Sequence, residues 1–370
     1  MKTIEGKLYP NKKEIAILNK MLEDCRVLYN KVLETKIEAY KKDKKKISRY
    51  DLQTIFKGQK DIPATLTQMV IYRVNNSFER FFKKNSDFPR FKSENRYRSI
   101  ELRTHSEDYR IKNGKLYVWG KFGLNRGIKI RGLQELIEPS MGRIVKRASG
   151  WYLQVCVETA KVKPKKVRTA IGIDVGLKAF LVDSDNKSVK PPKFFVNTQI
   201  ILAQAQRRLS KGKKGGVRRN EKRRIVARIH EKINNQRKDF LHKLSRQYAD
   251  QYDLVAVENL NIRGMVRNRH LSKAIVDASW GSFTTMLGYK LRMLGRHLVE
   301  VNPRFTTQKC SECGELVQKS LSVRTHICNC GYIADRDHNA ARNILTAGLG
   351  QANGEGIAIA TSLTRKIRFV

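Results

Sequence analysis

Two pairs of thiols stand directly ahead of an acidic stretch, and they constrain this chain more than any other feature. Cys310 and Cys313 are separated by two residues in Cys-Ser-Glu-Cys-Gly, and Cys328 and Cys330 by one residue in Cys-Asn-Cys-Gly. Four thiolates in two close pairs look like a Cys₄ zinc site closed to solvent. Gly314 and Gly331 end the pairs and can take positive φ, so that each loop turns back and aims backbone N–H groups at the thiolates. The short Cys328–Cys330 spacing departs from the more usual two intervening residues, and His326 is an alternative ligand. Cys25 and Cys156 fall within apolar patterns, leaving no disulfide framework and favouring a reducing cytoplasm.

A stapled loop carries no chemistry by itself, so the carboxylates around it matter. Asp335 and Asp337 follow the thiols in Asp-Arg-Asp-His-Asn-Ala-Ala, while Asp174 and Glu258 close the apolar runs Thr169–Ile173 and Leu254–Val257. Runs this short read as buried strands. A carboxylate at the end of such a strand is desolvated unless a cation meets it, so two of them plus an aspartate from the later stretch point to convergence on a metal.

Charge narrows the partners. Seventy-six Lys and Arg against 34 Asp and Glu give a formal net charge of +42 over 370 residues, an excess that calls for a polyanion and favours nucleic acid. At 40% hydrophobic the chain has enough apolar material for two or three compact units. The first six residues lack the apolar core of a signal peptide, and no apolar run approaches the ~20 residues of a membrane span, so no membrane partner is expected.

Taken in order, Lys2–Tyr9 reads as an edge strand, and Asn11 as the cap of a helix striped by Ile15, Leu18, Leu22, Cys25, Tyr29 and Val32. A basic turn at Lys41–Lys46 precedes a second helix from about Ala64 to Lys84. Pro89 breaks the pattern in Asp87–Lys92, whose aromatics and cations, Arg90 and Lys92 included, suit either RNA contact or a packed turn. Strands follow from Arg96 to Glu158, with Asn113-Gly114 as a hairpin turn, and Lys161–Lys166 reads as a basic linker. A strand pair covers Ala170–Asp174 and Ala179–Asp183. Helix runs from about Asn197, breaks at Lys211–Gly216 and resumes through Arg246, its Arg218, Arg219, Lys222, Arg223 and Arg228 suited to phosphates. Beyond the strand that delivers Glu258 come a helix after Ser282, a strand at His297–Val301 and a short helix at Asn339–Ala347, whose Ala340 and Ala341 permit close approach to the sheet. The tail after Gly350 is expected to be mobile or associated with RNA.

Gly172-Ile173-Asp174-Val175-Gly176-Leu177, Val257-Glu258-Asn259-Leu260, the Cys₄ insert and Asp335–Ile344, in that order, resemble the split RuvC nuclease of TnpB proteins. These are transposon-encoded, RNA-guided DNA nucleases related to the compact type V CRISPR effectors. The resemblance implies an α+β multidomain chain: a wedge β-barrel (1–10 and 94–167) with an inserted helical recognition lobe (11–93), an RNase H-like (RuvC) α/β nuclease (168–304 and 335–349), a zinc-ribbon insert that binds target nucleic acid (305–334) and a basic tail (350–370). It implies Asp174, Glu258 and Asp337 as catalytic ligands of two Mg²⁺ ions, Asp335 serving as a helix cap or support, and one structural Zn²⁺ on the four cysteines. Guide RNA and double-stranded target DNA are the implied partners, in a prokaryotic cytoplasm at the nucleoid. A guide-independent RuvC-like nuclease or transposase, and a nuclease-dead DNA-binding regulator, are the alternatives.

Overall fold

The computed structural model describes residues 2–364 apart from 45, 59–61, 104, 106–107, 119–123, 125, 134–138, 161, 214, 269 and 321–322. Parts of the expected basic turn, hairpin, linker and helix break, and the basic end of the tail at 365–370, therefore lie outside the described residues. The chain divides into two units, Met1–Thr159 and Ala160–Val370.

In the first unit, strand β1 (Lys2–Tyr9) is followed by helices α1 (Lys12–Asp43), α2 (Arg49–Ile55) and α3 (Ala64–Phe82). Six strands come next: β2 (Ser99–Leu102), β3 (Tyr109–Lys112), β4 (Lys115–Val118), β5 (Ile128–Arg131), β6 (Met141–Arg147) and β7 (Gly150–Val157). Helix α1 starts where expected because Asn11 accepts the Glu14 N–H at 2.9 Å while the Glu14 carboxylate takes the Asn11 N–H at 2.7 Å, a reciprocal cap. The seven strands form one antiparallel, barrel-like sheet in the order β2-β6-β7-β1-β5-β4-β3, and among the described residues its end strands β2 and β3 do not pair to close it. Strand β1 is thus central rather than an edge, bonded to β7 on one side and β5 on the other. Glu5 and Lys7 lie on the face opposite Ile4 and Leu8, where Glu5 accepts from Arg147 Nη1 at 2.7 Å and from Gln154 Nε2 at 2.8 Å. The helices do not stand apart: Leu18, Val32 and Val74 share one apolar core with Ile100, Ile144 and Leu153.

In the second unit, β8 (Ala170–Val175), β9 (Leu181–Asp183) and β10 (Ser188–Val189) pair antiparallel, and β11 (Leu254–Glu258) and β12 (His297–Val301) continue parallel to β8. The order is β10-β9-β8-β11-β12. Helices α4 (Phe194–Ser210), α5 (Val217–Gln251), α6 (Ile262–Met265), α7 (Ser272–Ala278) and α8 (Trp280–Met293) lie between β10 and β12 in sequence. A hairpin of β13 (Thr325–Ile327) and β14 (Ile333–Asp335) leads into α9 (Arg336–Gly354), and α10 (Thr361–Thr364) ends the described chain. Residues alternate across the sheet with the period of two that extended backbone imposes. Ile171, Ile173, Val255 and Val257 pack with Leu244 of α5 and Leu287 of α8. Leu254, Ala256, Val299 and Val301 pack with Ile344, Leu345 and Leu349 of α9.

Helix α9 spans 19 residues, well past the short helix expected at Asn339–Ala347. Gly348 and Gly350 read as breakers, but Gly348 is placed for contact: a Cβ there would lie 2.4 Å from the Cβ of Ala256. The tail then packs back instead of trailing away. Val167 donates its N–H to Ala358 O and accepts that of Ala360, both at 2.8 Å, and Leu363 is buried. The stretch expected as a linker is likewise bonded into this unit, since Lys165 N–H reaches Gly295 O at 2.7 Å.

Lys290 of α8 is buried against α5, its Nζ donating to His242 O at 2.6 Å and to Ser245 Oγ at 2.7 Å. Burial pulls its pKa from 10.5 down to about 8. The unfolded chain therefore binds the proton more tightly, and stability should rise as pH climbs from 8 toward 10.5. Denaturation midpoints measured at pH 7.5 and 9.5 should show this rise in the wild type and a smaller one in Lys290→Met.

Candidate active site and thiol cluster

Alternation along the strands decides where the acids fall. Asp174 shares the face of Gly172, and Glu258 that of Leu254 and Ala256, so both belong to the side covered by α9, at the C-terminal ends of adjacent parallel strands. Asp337 sits in the first turn of α9, at the positive end of the helix dipole, which favours a carboxylate. Asp335 is the cap, its Oδ1 accepting the N–H groups of Asp337 at 2.8 Å and His338 at 3.3 Å. Gly172 brings the helix down onto the sheet: a Cβ at this position would lie 2.1 Å from Ala341 O and 2.6 Å from Leu345 N.

The electrostatics register this convergence. Burial pushes the Asp174 carboxyl well above its ordinary pKa, and the nearby charges of Glu258 and Asp337 push it further, with Arg336 opposing them. Burial also raises Glu258, countered by the hydroxyl of Thr306, which donates to Glu258 Oε1 at 2.6 Å. Asp337 Oδ1 accepts from Arg336 Nε and Nη2 at 3.1 and 2.9 Å, and its Oδ2 meets Arg324 Nη1 at 3.4 Å. Half-buried carboxylates without histidine or thiol partners are the donor set that suits Mg²⁺. Among the described residues, only Cys310, Cys313, Cys328 and Cys330 form a group of three or more ligand atoms all within 4.8 Å of one another.

Within that group the Cys310–Cys330 and Cys313–Cys328 Sγ distances are 3.8 and 3.5 Å. Metal–sulfur bonds of ~2.3 Å in a tetrahedron require sulfur separations of ~3.8 Å, so the thiols fit zinc despite the one-residue spacing. Gly314 and Gly331 adopt φ of 81° and 88°. The backbone N–H of Glu315 lowers the Cys313 pKa, as expected for an amide aimed at a thiolate. His326 is not a ligand here. It is fully buried, and its Nδ1 bonds to Lys319 Nζ.

Sequence reading missed the fastening between these two sites. Asn339 donates to Lys309 O at 2.8 Å and accepts the Ser311 N–H at 3.0 Å, while Asn343, one turn later, donates to Thr306 O at 2.8 Å and Lys309 O at 2.6 Å. Two asparagines four residues apart face the same way on a helix, which is the only signal the sequence offered. The loop from Thr306 to Ser311 is thus held by the helix that carries Asp337, and it supplies the hydroxyl that holds Glu258.

The expected phosphate contacts divide. Arg218, Arg223 and Arg228 are exposed on α5 and Lys222 is half-buried, but Arg219 donates to Leu209 O at 3.3 Å and Gly212 O at 2.8 Å, closing the end of α4. Arg90 is exposed, near Asp87 at 3.6 Å. Lys92 is half-buried: Asn30 accepts its N–H at 2.8 Å, and burial lowers its ammonium pKa.

Comparison with known proteins bears on the whole chain. Residues 154–269 match the OrfB_IS605 family, described as a probable transposase, and residues 280–344 match a Cas12f1-like TNB domain. Residues 1–45 match a helix-turn-helix domain of the same OrfB group, although here they form a strand and one long helix. A Streptomyces pristinaespiralis protein named for RNA-guided DNA endonuclease activity is 33% identical over 365 residues, covering 95% of this chain and 90% of its own. InsQ of Escherichia coli K12, named in the same way, is 25% identical over 379 residues, with 94% and 92% coverage. Among solved structures, Cas12f1 in complex with sgRNA and target DNA superposes with a TM-score of 0.56 at 15% identity, over 90% of this chain and 82% of that one, a likeness of fold. No helix among the described residues is long and apolar enough to cross a membrane.

Proposed function

This chain belongs to the TnpB family of IS605-type transposon proteins, and on that premise we propose that it is an RNA-guided DNA endonuclease. It hydrolyses phosphodiester bonds of target DNA at one RuvC-like site formed by Asp174, Glu258 and Asp337. The observation that carries this reading is the placement of two half-buried acids at the ends of adjacent parallel strands, with a third at the N-terminus of the helix covering the same face. Mg²⁺ bound there would supply water activation and stabilisation of the departing oxygen, the chemistry that two cations provide in phosphoryl hydrolysis.

The residues of the chain do the positioning. Asp174 and Glu258 present oxygens from a sheet, which holds them more precisely than a loop would. Thr306 fixes the orientation of Glu258, Asp335 pins the first turn of α9, and Arg324 and Arg336 hold the oxygens of Asp337. Guide RNA and double-stranded DNA are the partners we assign to the basic surface, under a net charge of +42. Base pairing by a guide would read the target while protein reads a short adjacent motif.

Cleavage by the purified full chain, with Mg²⁺, with and without its co-purified RNA, tests this. Target-specific cutting should require the RNA. Equal cutting by RNA-free protein would promote the guide-independent nuclease, and no cutting under any condition the DNA-binding regulator.

The thiol cluster we assign to one structural zinc. Metal analysis of freshly purified protein should find one zinc per chain, and Cys313→Ser should lose it. Because Asn339 and Asn343 fasten the same loop that supplies Thr306, that variant should also cut more slowly. Thr306→Val should reproduce the slower cutting with zinc retained, at a cost of about 1–3 kcal/mol in the barrier, or roughly 5- to 150-fold in rate.

A further inference from the structure

The C-terminal end of α3 and the segment after it form an aromatic surface that the nuclease reading leaves without a task. Phe78, Phe81, Phe82 and Phe88 make a knot of rings: Phe88 meets Phe78 and Phe81 edge-on, with centroids 5.6 and 5.3 Å away, and Phe82 stacks on Phe78 at 6.2 Å. Yet Phe82 remains 70% exposed, and Phe88 and Phe91 47% and 53%. Water is a poor solvent for exposed phenyl rings, and Phe82 and Phe88 in one knot with Phe91 three residues on along the chain form a group that a fold seldom leaves open without use. The segment is not loose, because Pro89 is buried and the carbonyl of Lys92 accepts from Arg26 Nη1 at 3.1 Å and Asn30 Nδ2 at 3.0 Å. The same stretch of chain carries the exposed cations Arg80, Lys83, Lys84 and Arg90, against the acids Glu79 and Asp87.

We propose that Phe82, Phe88 and Phe91 form a stacking platform for unpaired bases of single-stranded RNA, with the cations of the same stretch holding its phosphates. An apolar protein partner would gain nothing from these four cations, and a duplex would offer phosphates but no free base faces. Unpaired nucleotides use both features, since each base has a face to stack and each link a charge. The choice of RNA rests on the RNA-guided reading, which assigns the chain a bound RNA.

The test uses the full chain stripped of nucleic acid and a ten-nucleotide RNA carrying 4-thiouridine, either single-stranded or annealed to its complement. Photocrosslinks mapped by mass spectrometry should fall within residues 80–92 for the single strand and vanish for the duplex. Phe82→Ala with Phe91→Ala should weaken single-strand binding by about 5- to 150-fold per lost base contact while leaving the salt dependence unchanged. Replacing Arg80, Lys83, Lys84 and Arg90 with Gln should instead flatten the salt dependence. Both substituted phenylalanines are mostly exposed, so unchanged thermal melts are expected and serve as the control for folding. Crosslinks that avoid residues 80–92, or that persist with the duplex, would overturn the platform, as would a double variant that binds like wild type. RNA-dependent DNA cutting is scored separately, so a chain that cuts with its guide but fails these tests loses the platform alone. Crosslinks at the rings in a chain that cuts without RNA would keep the platform and reject the guide.

Discussion

Asp174→Asn should reduce DNA cleavage by about 10³-fold or more, since cation stabilisation at such a site is worth several kcal/mol and each 1.4 kcal/mol is tenfold. Binding should stay within about threefold of wild type, because phosphate contacts spread over a basic surface do not depend on one acid. The same substitution should raise the stability of the metal-free protein. Burial, with Glu258 and Asp337 nearby, lifts the folded-state pKa of Asp174 above its unfolded value. Above the unfolded pKa the ionised carboxylate is therefore a liability to the fold, one that asparagine lacks. A gain of roughly 1–3 kcal/mol is expected at pH 7.5 in the presence of a chelator, the scale of an uncompensated buried polar group. The gap should narrow as pH falls from the raised folded-state pKa and close below the unfolded-state one, where both states hold the proton. Thermal melts of both proteins with chelator check the sign. A variant less stable than wild type would mean that Asp174 is not the strained member of the group.

Gly172→Ala should damage folding and catalysis together. The added methyl would meet backbone atoms of α9 at 2.1 and 2.6 Å, neither of which can rotate away as a side chain could. The helix must lift, at a cost of about 3 kcal/mol or more, the upper range for overpacked cores. Because α9 carries Asp337, the surviving folded fraction should also cut slowly. A shift of roughly 1 Å in a catalytic group costs on the order of 10²-fold. Single-turnover cleavage normalised to folded protein separates the two losses, and a wild-type melting temperature would refute the close contact.

Much of this was legible because the signals were local. The thiol pairs, the strand ends at Asp174 and Glu258, the Asn11 cap and the Asn113-Gly114 turn each depend on a few neighbouring residues. What escaped depends on partners far along the chain. Strand β1 read as an edge because its two partners, β5 and β7, lie more than a hundred positions away in the chain. The length of α9 was hidden by Gly348, which local rules read as a breaker and the sheet uses as a contact. That Arg219 Nη1 closes the end of α4 could not be seen from its place in a basic run, because its partners there are backbone carbonyls of the preceding helix and turn. Short helices such as α2, α6 and α7 carry too few turns for periodicity to distinguish them from loop.

The loop between Thr306 and Ser311 is fastened at both ends, to the thiol cluster through its sequence and to α9 through Asn339 and Asn343. A segment held in this way would link the two proposed metal sites thermodynamically. Occupancy of the thiols restricts the loop, the loop restricts Glu258 through Thr306, and a restricted carboxylate needs less ordering when its own ligand arrives. Linkage runs both ways, so a divalent ion at the acids must tighten the hold on zinc by the same factor. Zinc release to a competing chelator should therefore slow when Mg²⁺ is added to wild type, and the effect should disappear once Thr306 loses its hydroxyl.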